Sequence, residues 1–396
     1  MEIVFKRASV FAFYLSHPAS LTKRSDKEHT EHVAIGVRKG GIAIIGTGLV
    51  GSFERIVPSE EVDVLQEGAF TVDAKRIVGI VKTFGDKPLK LVLRKDEKST
   101  RLLVSCGRSK ITVREVGEAS KYPQPSTVMG EREVFNVDIA KFQRGLKMCL
   151  TTMPTQDAKA YLNGINVTIK DRQMTFVSTD THKLTVFKQA IDGITPLEQD
   201  ISFTIPCESV QTLLSMHVET NTALLEVSRQ AMALTVSSLR YQSKLYSDQY
   251  PDIAPVLPTE TRGGAVVAKS ELAAVISRGS EAFEKRSSDG KKQIPRIELS
   301  FNTDNTITTA LGKENAPVAT DEVEVFQAQI PVSASTAMNY RSLTRCASSI
   351  HTEQVSLVLG VMKQRQASAP EQLTLLLSPT QQLTGENYFI MMIPMR

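Results

Sequence analysis

The segment Gly46-Thr47-Gly48-Leu49-Val50-Gly51 follows an apolar run and has the G-x-G-x-x-G spacing that lets a backbone close on the pyrophosphate of a dinucleotide. That chemistry needs a helix directly after the third glycine, packed on a parallel sheet, so that its N-terminus meets the anion. Residues 52–57 instead alternate like a strand, and Pro58 follows, so an NAD-dependent enzyme built on Gly46, Gly48 and Gly51 is disfavoured. His29, Glu31 and His32 lack the i, i+4 pair of imidazoles that places two zinc ligands on one helical face. Cys106, Cys149, Cys207 and Cys346 contain no C-x-x-C, which speaks against a zinc site or a disulfide framework and fits a reducing compartment. No serine, histidine and aspartate form a recognisable nucleophile elbow. We therefore expect no catalytic residue, no metal and no cofactor.

The elements that carry these residues repeat. A short extended run passing into a helical pattern occurs six times, with helices expected to start near Lys6, Asp73, Asp138, Pro206, Lys269 and Pro331, at intervals of 62 to 68 residues. Alternating apolar and polar residues bounded by Gly, Asn and Asp fill the intervals and read as antiparallel hairpins. A longer period is superposed: Ser109-Lys110 and Tyr122-Pro123 are echoed by Ser243-Lys244 and Tyr250-Pro251. Two modules thus make a domain and three domains make the chain, an α+β architecture with domains at 1–130, 131–262 and 263–396. A length of 396 residues with 41% hydrophobic content supports three cores.

Net charge is only +4, so any polyanion partner depends on clustering. Three of the six helices are basic: one carries Lys75, Arg76 and Lys82, another Lys141, Arg144 and Lys147, and the last Arg341 and Arg345. The helix after Pro206 offers Glu208, Gln211 and Ser215 instead. Such charges suit either an ordinary solvated face or a surface for nucleic acid. If the helices lined a ring, six at roughly 10 Å spacing would leave a hole of roughly 9 Å, too narrow for duplex DNA. Twelve would leave roughly 28 Å, which requires two chains.

The segments 107–113 (GRSKITV), 160–164 (AYLNG), 179–184 (TDTHKL), 243–258 (SKLYSDQYPDIAPVLP) and 388–396 (YFIMMIPMR), in this order and on this six-module frame, resemble the bacterial sliding clamps, the beta subunits of DNA polymerase III. The resemblance implies three similar domains per chain, a head-to-tail homodimeric ring, and helices facing encircled DNA. It implies a partner-peptide groove formed by Lys159, Leu162, Thr179, Thr181, His182, Lys183, Leu184, Pro251, Val256, Met391, Met392, Ile393, Pro394, Met395 and Arg396. It further implies DNA-facing positions at Arg24, Lys75, Lys82, Gln156 and Tyr161, to which the helix pattern adds Lys141 and Arg144. Ile111 and Val113 correspond to the apolar residues of an edge strand at the subunit interface, whose opposing residues stay open. The implied partners are double-stranded DNA bound without sequence preference, the polymerase alpha subunit, a clamp loader and other proteins with clamp-binding motifs.

The chain departs from the family pattern at Thr181 and Lys183, where T-D-G-H-R-L is usual, and at Pro255, where an arginine is usual. Residues 285–292, 312–321 and 364–372 read as insertions. From the residues alone, the tail at 388–395 reads first as the last strand of a buried sheet. The basic, apolar N-terminus superficially resembles a signal peptide, yet it matches the other modules, so a cytoplasmic protein without a membrane span is expected. The alternative reading is a clamp-like scaffold that binds peptides and is not loaded on DNA.

Overall fold

The computed structural model describes residues 1–22, 31–96, 99–123, 131–191, 200–217, 220–282, 296–313, 316–362 and 372–395. Among them the expected module recurs six times: a strand, a helix, then three strands. The first is β1 (Glu2–Phe5), α1 (Ala8–Ser20), β2 (His32–Arg38), β3 (Gly41–Thr47) and β4 (Gly51–Pro58), followed by β5 (Val62–Gln66). The second is β6 (Ala69–Asp73), α2 (Ala74–Val81), β7 (Leu89–Lys95), β8 (Thr100–Cys106) and β9 (Ser109–Val113), followed by β10 (Val116–Gly117). The third is β11 (Glu133–Asp138), α3 (Ile139–Cys149), β12 (Gly164–Lys170), β13 (Gln173–Thr179) and β14 (Lys183–Ala190). The fourth is β15 (Ile201–Pro206), α4 (Cys207–Ser215), β16 (Thr222–Val227), β17 (Ala231–Val236) and β18 (Leu239–Lys244). The fifth is β19 (Glu260–Ala268), α5 (Lys269–Ala282), β20 (Arg296–Phe301), β21 (Ile307–Lys313) and β22 (Ala316–Val323), followed by β23 (Val325–Gln329). The sixth is β24 (Ala334–Asn339), α6 (Tyr340–Ser349), β25 (Gln354–Val361), β26 (Leu373–Pro379) and β27 (Glu386–Met392).

Several of the strand-to-helix steps have a local cause in a capping side chain, although Arg7 before α1 makes no such bond. The Asp73 carboxylate accepts the Arg76 amide at 2.6 Å, and Asp138 accepts the Lys141 amide at 2.9 Å, so each caps the helix that follows. The sixth helix departs from the expected start near Pro331. Residues 334–339 pair residue by residue with β20, and the side chain that caps the helix is Asn339, which accepts from Arg341 and Ser342. The run read as the leading strand of that module is β23, an additional strand pairing with β19.

The chain forms two compact units. The first contains Met1–Phe142 and Glu208–Ser247, the second Gln143–Cys207 and Asp248–Arg396. In the first, a five-stranded sheet, β5-β1-β7-β8-β9, and a nine-stranded sheet, β10-β6-β2-β3-β4-β18-β17-β16-β11, are antiparallel throughout. Modules one and two exchange leading strands, β1 pairing with β7 and β6 with β2, so neither module has a complete sheet alone. One core joins both sheets to both helices through Phe5, Phe11, Leu15, Phe70, Ile77 and Leu91. Each fully buried side chain of this size contributes about 1.5–3 kcal/mol. In the second unit, β15-β12-β13-β14-β27-β26-β25-β19-β23 and β22-β21-β20-β24 repeat the arrangement, and β19·β25 with β24·β20 repeat the exchange.

One pairing rule recurs between modules. The third strand of module one, β4, pairs antiparallel with the third strand of module four, β18; that of module three, β14, pairs antiparallel with that of module six, β27. Each junction sets a phenylalanine opposite a tyrosine, Phe53 with Tyr241 and Phe187 with Tyr388, at ring distances of 4.8 and 6.0 Å. The third strands of modules two and five, β9 and β22, are sheet edges.

The glycine motif at residues 46–51 is the β3–β4 hairpin, closed by the Gly48 amide on the Gly51 carbonyl at 2.8 Å. A Cβ on Gly46 would lie 1.9 Å from the Pro18 carbonyl oxygen, and one on Gly51 would lie 2.5 Å from the Tyr241 hydroxyl. These glycines serve the close approach of α1 and β18, and no helix follows them.

Candidate partner-peptide groove and basic helix faces

Alternation along β13, β14 and β27 assigns side chains to the two faces of the second unit's large sheet. Phe176, Phe187, Tyr388 and Ile390 point to one face; Val177, Leu184, Val186 and Met391 point to the other. On that second face Leu162, Val177, Leu184, Val186, Tyr250 and Met391 form one buried cluster, flanked by Tyr161, Ile253, Leu257, Leu376, Phe389 and Ile393.

The β13–β14 hairpin is held by its own polar side chains. The Asp180 carboxylate accepts the amides of His182 (3.0 Å) and Lys183 (2.7 Å) and pairs with the Lys183 ammonium. Thr179 donates its hydroxyl to the Lys183 carbonyl at 2.7 Å and accepts the Thr181 amide at 3.1 Å. These bonds hold Thr181 at φ +70°, a left-handed conformation that a β-branched residue rarely adopts. The tail is attached to the same hairpin, because the Ile393 amide donates to the His182 carbonyl at 2.9 Å. Asn163 and Asp157 exchange side-chain and backbone hydrogen bonds across the 157–163 turn, which seats Leu162 in the cluster and leaves Lys159 exposed. Burial pushes the Tyr250 hydroxyl well above the usual phenol range, so it stays protonated.

Of the residues that the resemblance assigns to the groove, Leu162, Leu184 and Met391 belong to this cluster and Ile393 packs against it. Met391 and Met392 lie within β27, between β14 and β26, and are fully buried, so the tail is a sheet strand as well as a wall of the cluster. Only Met391 joins the cluster, since Met392 faces the other way along the strand. Pro251, Val256, Thr181 and His182 are the exposed rim, while Thr179, Lys183, Ile393, Pro394 and Met395 are half-buried. Arg396 lies outside the described residues. Sequence reasoning missed Val177, Val186 and Phe389, which share the period-two face of Leu184 and Met391. It also missed Leu376, which only the β26·β27 register brings in.

Lys75 on α2, Lys82 at its C-terminal cap, Lys141 on α3, and Gln156 are exposed. Arg144 is not an open cation: its Nε lies 3.0 Å from a Glu386 oxygen, on a carboxylate that is itself nearly buried, so the charge is largely matched within the chain. Tyr161 is half-buried and packs against the cluster. Arg24 lies outside the described residues, as does His29, while His32 is buried with Nδ1 3.1 Å from the Thr71 hydroxyl. Among the described residues no group of three or more His, Cys, Asp or Glu could hold a metal ion. Burial pushes the Cys149 and Cys346 thiols up to about 12.

Strand β9 is an edge as expected, but Val113 points into the core at 1% exposure and Ile111 is half-buried on the same side. What β9 presents outward is its backbone edge, together with exposed Arg108, Lys110 and Arg114.

Residues 9–125 match the family model for the N-terminal domain of the DNA polymerase III beta subunit, and residues 136–252 match the model for its central domain. The chain is 24% identical over 296 residues to a beta sliding clamp of Halalkalibacterium halodurans, covering 72% of this chain and 75% of the relative. It is 24% identical over 341 residues to a beta sliding clamp of Pseudomonas putida, covering 83% and 85%. The fold superposes on a DNA polymerase sliding clamp of Pseudomonas aeruginosa with a TM-score of 0.83 at 20% identity, covering 100% of both chains. A sliding clamp of Bacillus subtilis gives the same score at 14% identity, over 100% of this chain and 99% of the other. With two domain models of one family spanning more than half of its length and a clamp fold throughout, the chain belongs to the DNA polymerase III beta subunit family, the beta sliding clamps.

Proposed function

We propose that two copies of this chain close a ring around duplex DNA and tether a replicative polymerase, as non-catalytic processivity subunits of the sliding-clamp family. The observation that carries this reading is the pairing rule between modules. Two of the three possible third-strand junctions form within the chain, β4·β18 and β14·β27, and the third leaves β9 and β22 as unpaired edges. A second copy satisfies both edges twice over, by pairing β9 of each chain with β22 of the other. The edges are opposite in charge: Lys110 lies on β9 with Arg108 and Arg114 just beside it, and Glu322 and Glu324 lie on β22 and just after it, while Asp321 is already paired with Arg278. This supplies the opposing side of the interface that the resemblance left open.

Lys75, Lys82 and Lys141 then meet DNA phosphates without base preference, as a sliding protein requires, with Arg341 and Arg345 as further candidates. The cluster around Leu162, Leu184 and Met391 accepts the apolar residues of short linear motifs from the polymerase alpha subunit, a clamp loader and other clamp-binding proteins. Replication places the protein in the cytoplasm, and no helix among the described residues is long and apolar enough to cross a membrane.

The test is retention after loading: the protein should stay on nicked circular plasmid and leave when the plasmid is linearised. Equal loss from both forms favours a peptide-binding scaffold that does not encircle DNA, for which the outer face of α4, offering Glu208, Gln211 and Ser215 in place of cations, is the supporting feature.

A further inference from the structure

The strand registers place a second feature on the same sheet face as the cluster. Reading across the sheet, Leu184 pairs with Met391, Met391 with Leu376, Leu376 with Val358, Val358 with Gly264 and Gly264 with Gln329. This is one continuous row over six strands, and the neighbouring row on that face contains Ser356, Val266 and Gln327. At the β19–β25–β23 end the rows open into a groove of about 410 Å³ lined by Val266, Val358, Pro331, Gln327 and Gln329. Gly264 keeps its floor low, because a Cβ there would stand 2.9 Å from both the Leu357 carbonyl oxygen and a Val358 methyl.

The fold does not demand an apolar row at this place. The row that starts from the corresponding hairpin of the first unit runs Ser52, Gln242, Ala233, Glu226, and Glu226 is ion-paired with Arg132 and Arg240. One unit thus starts this row with polar side chains, of which Glu226 is ion-paired, where the other has a half-exposed apolar track leading from the peptide cluster to a groove.

We infer that a partner peptide seated on the Leu184 and Met391 cluster continues across Leu376 and Val358 and places a second apolar side chain in the Val266–Val358 groove, with its polar backbone against Gln327 and Gln329. The inference rests on the peptide-groove reading above and extends it. Strands are about 4.8 Å apart, so the three steps from β27 to β19 span about 14 Å, which an extended peptide covers in about four residues. The partner is therefore one linear motif with two apolar anchors four or five residues apart.

Three fluorescein-labelled probes test this on the full-length protein: Gly-Gln-Leu-Ala-Leu-Phe, the same peptide followed by Gly-Ser-Gly-Ser-Leu, and the same peptide preceded by Leu-Ser-Gly. One extended probe should bind at least fivefold more tightly than the short one. Replacing its terminal leucine by aspartate, or the protein's Val358 by glutamate (Val358→Glu), should remove that gain and leave the short probe's affinity unchanged. Val266→Thr, nearly isosteric, reads the same loss if Val358→Glu unfolds. Equal affinity of all three probes, or a gain that survives both protein variants, overturns the inference. Failure of every probe, the short one included, overturns the groove reading and this extension with it. A fall in the native mass of the unliganded protein on Val358→Glu means that a second copy covers the face, and also overturns it.

Discussion

Thr181 occupies a left-handed backbone position with a branched side chain, at the exposed tip of the hairpin that rims the cluster. Its φ of +70° is held by Asp180 and Thr179, so the local bonds compensate a conformational cost of about 1–2 kcal/mol. Thr181→Gly should raise the denaturant midpoint by an amount equivalent to about 1 kcal/mol or less, because glycine's larger unfolded-state entropy offsets part of the relief. It should also tighten or broaden peptide binding, since the rim loses a side chain. Calorimetry with the short apolar probe checks the second effect, and weaker binding would contradict it. His17 predicts a pH dependence. Burial first, and then the Arg55 and His217 charges, push its pKa down to about 4; Arg55 is itself stacked on the Phe13 and Tyr14 rings at 4.0 and 4.7 Å. The unfolded chain takes up this proton near pH 6.5, whereas the folded chain resists it until about pH 4, so stability is fully present above 6.5 and declines as pH falls between these values. Allowing for the solvent that still reaches the ring, the loss by pH 4.5 is of order 1 kcal/mol. His17→Gln should flatten the melting temperature against pH in that window, and an unchanged slope would reassign the effect.

At the scale of elements, the tail shows how one strand serves two purposes. β27 is bonded to β14 along its length and to β26 at its end, so deleting residues 392–396 removes a buried methionine from a sheet as well as a groove wall. That deletion should destabilise the protein by about 2–5 kcal/mol, the usual range for losing a buried methionine side chain, and weaken peptides. Deleting only residues 394–396 keeps the Ile393 bond to His182 and removes the Met395 bond to Ala337. It should weaken peptide binding while the melting temperature stays within a few degrees. Equal peptide affinity in the shorter truncation would assign the tail to the sheet alone. Arg144 belongs to the same scale: α3 presents three cations by its spacing, yet Glu386 of β27 takes one of them. Neutralising Lys75, Lys82 and Lys141 should therefore lower the slope of log affinity for DNA against log salt by up to about 0.9 per lysine. Arg144→Gln should act mainly on stability, read by thermal unfolding.

For the molecule as a whole, the prediction is a ring of two chains whose β9 and β22 edges meet. Val113 is part of the core, so a charge there would test folding rather than assembly. Ile111→Asp, at a half-buried edge position, should shift the native mass from two chains to one at micromolar concentration while circular dichroism stays unchanged. Because the edges carry opposite charges, dimer dissociation should also increase with salt over the range where the screening length shrinks from about 10 to 3 Å. A native mass of one chain for the unaltered protein would remove the closed ring, though not the peptide site.

The sequence by itself determined the module: the six strand-to-helix steps, the hairpins and the faces of β13 and β14 follow from local periodicity, capping side chains and turn residues. It also excluded the dinucleotide site, since the strand after Gly51 and Pro58 are local facts. Only the tertiary structure decided the rest, because contacts between strands far apart in sequence leave no periodic trace. The exchange of leading strands, the Leu184–Met391 register, the capture of Arg144 by Glu386 and the row that carries the peptide face to Gly264 are all of this kind. The shifted start of α6 lies between the two. β23 and β24 both look like leading strands from their composition, and the pairing of β24 with β20, ending at the Asn339 cap, is what selects one.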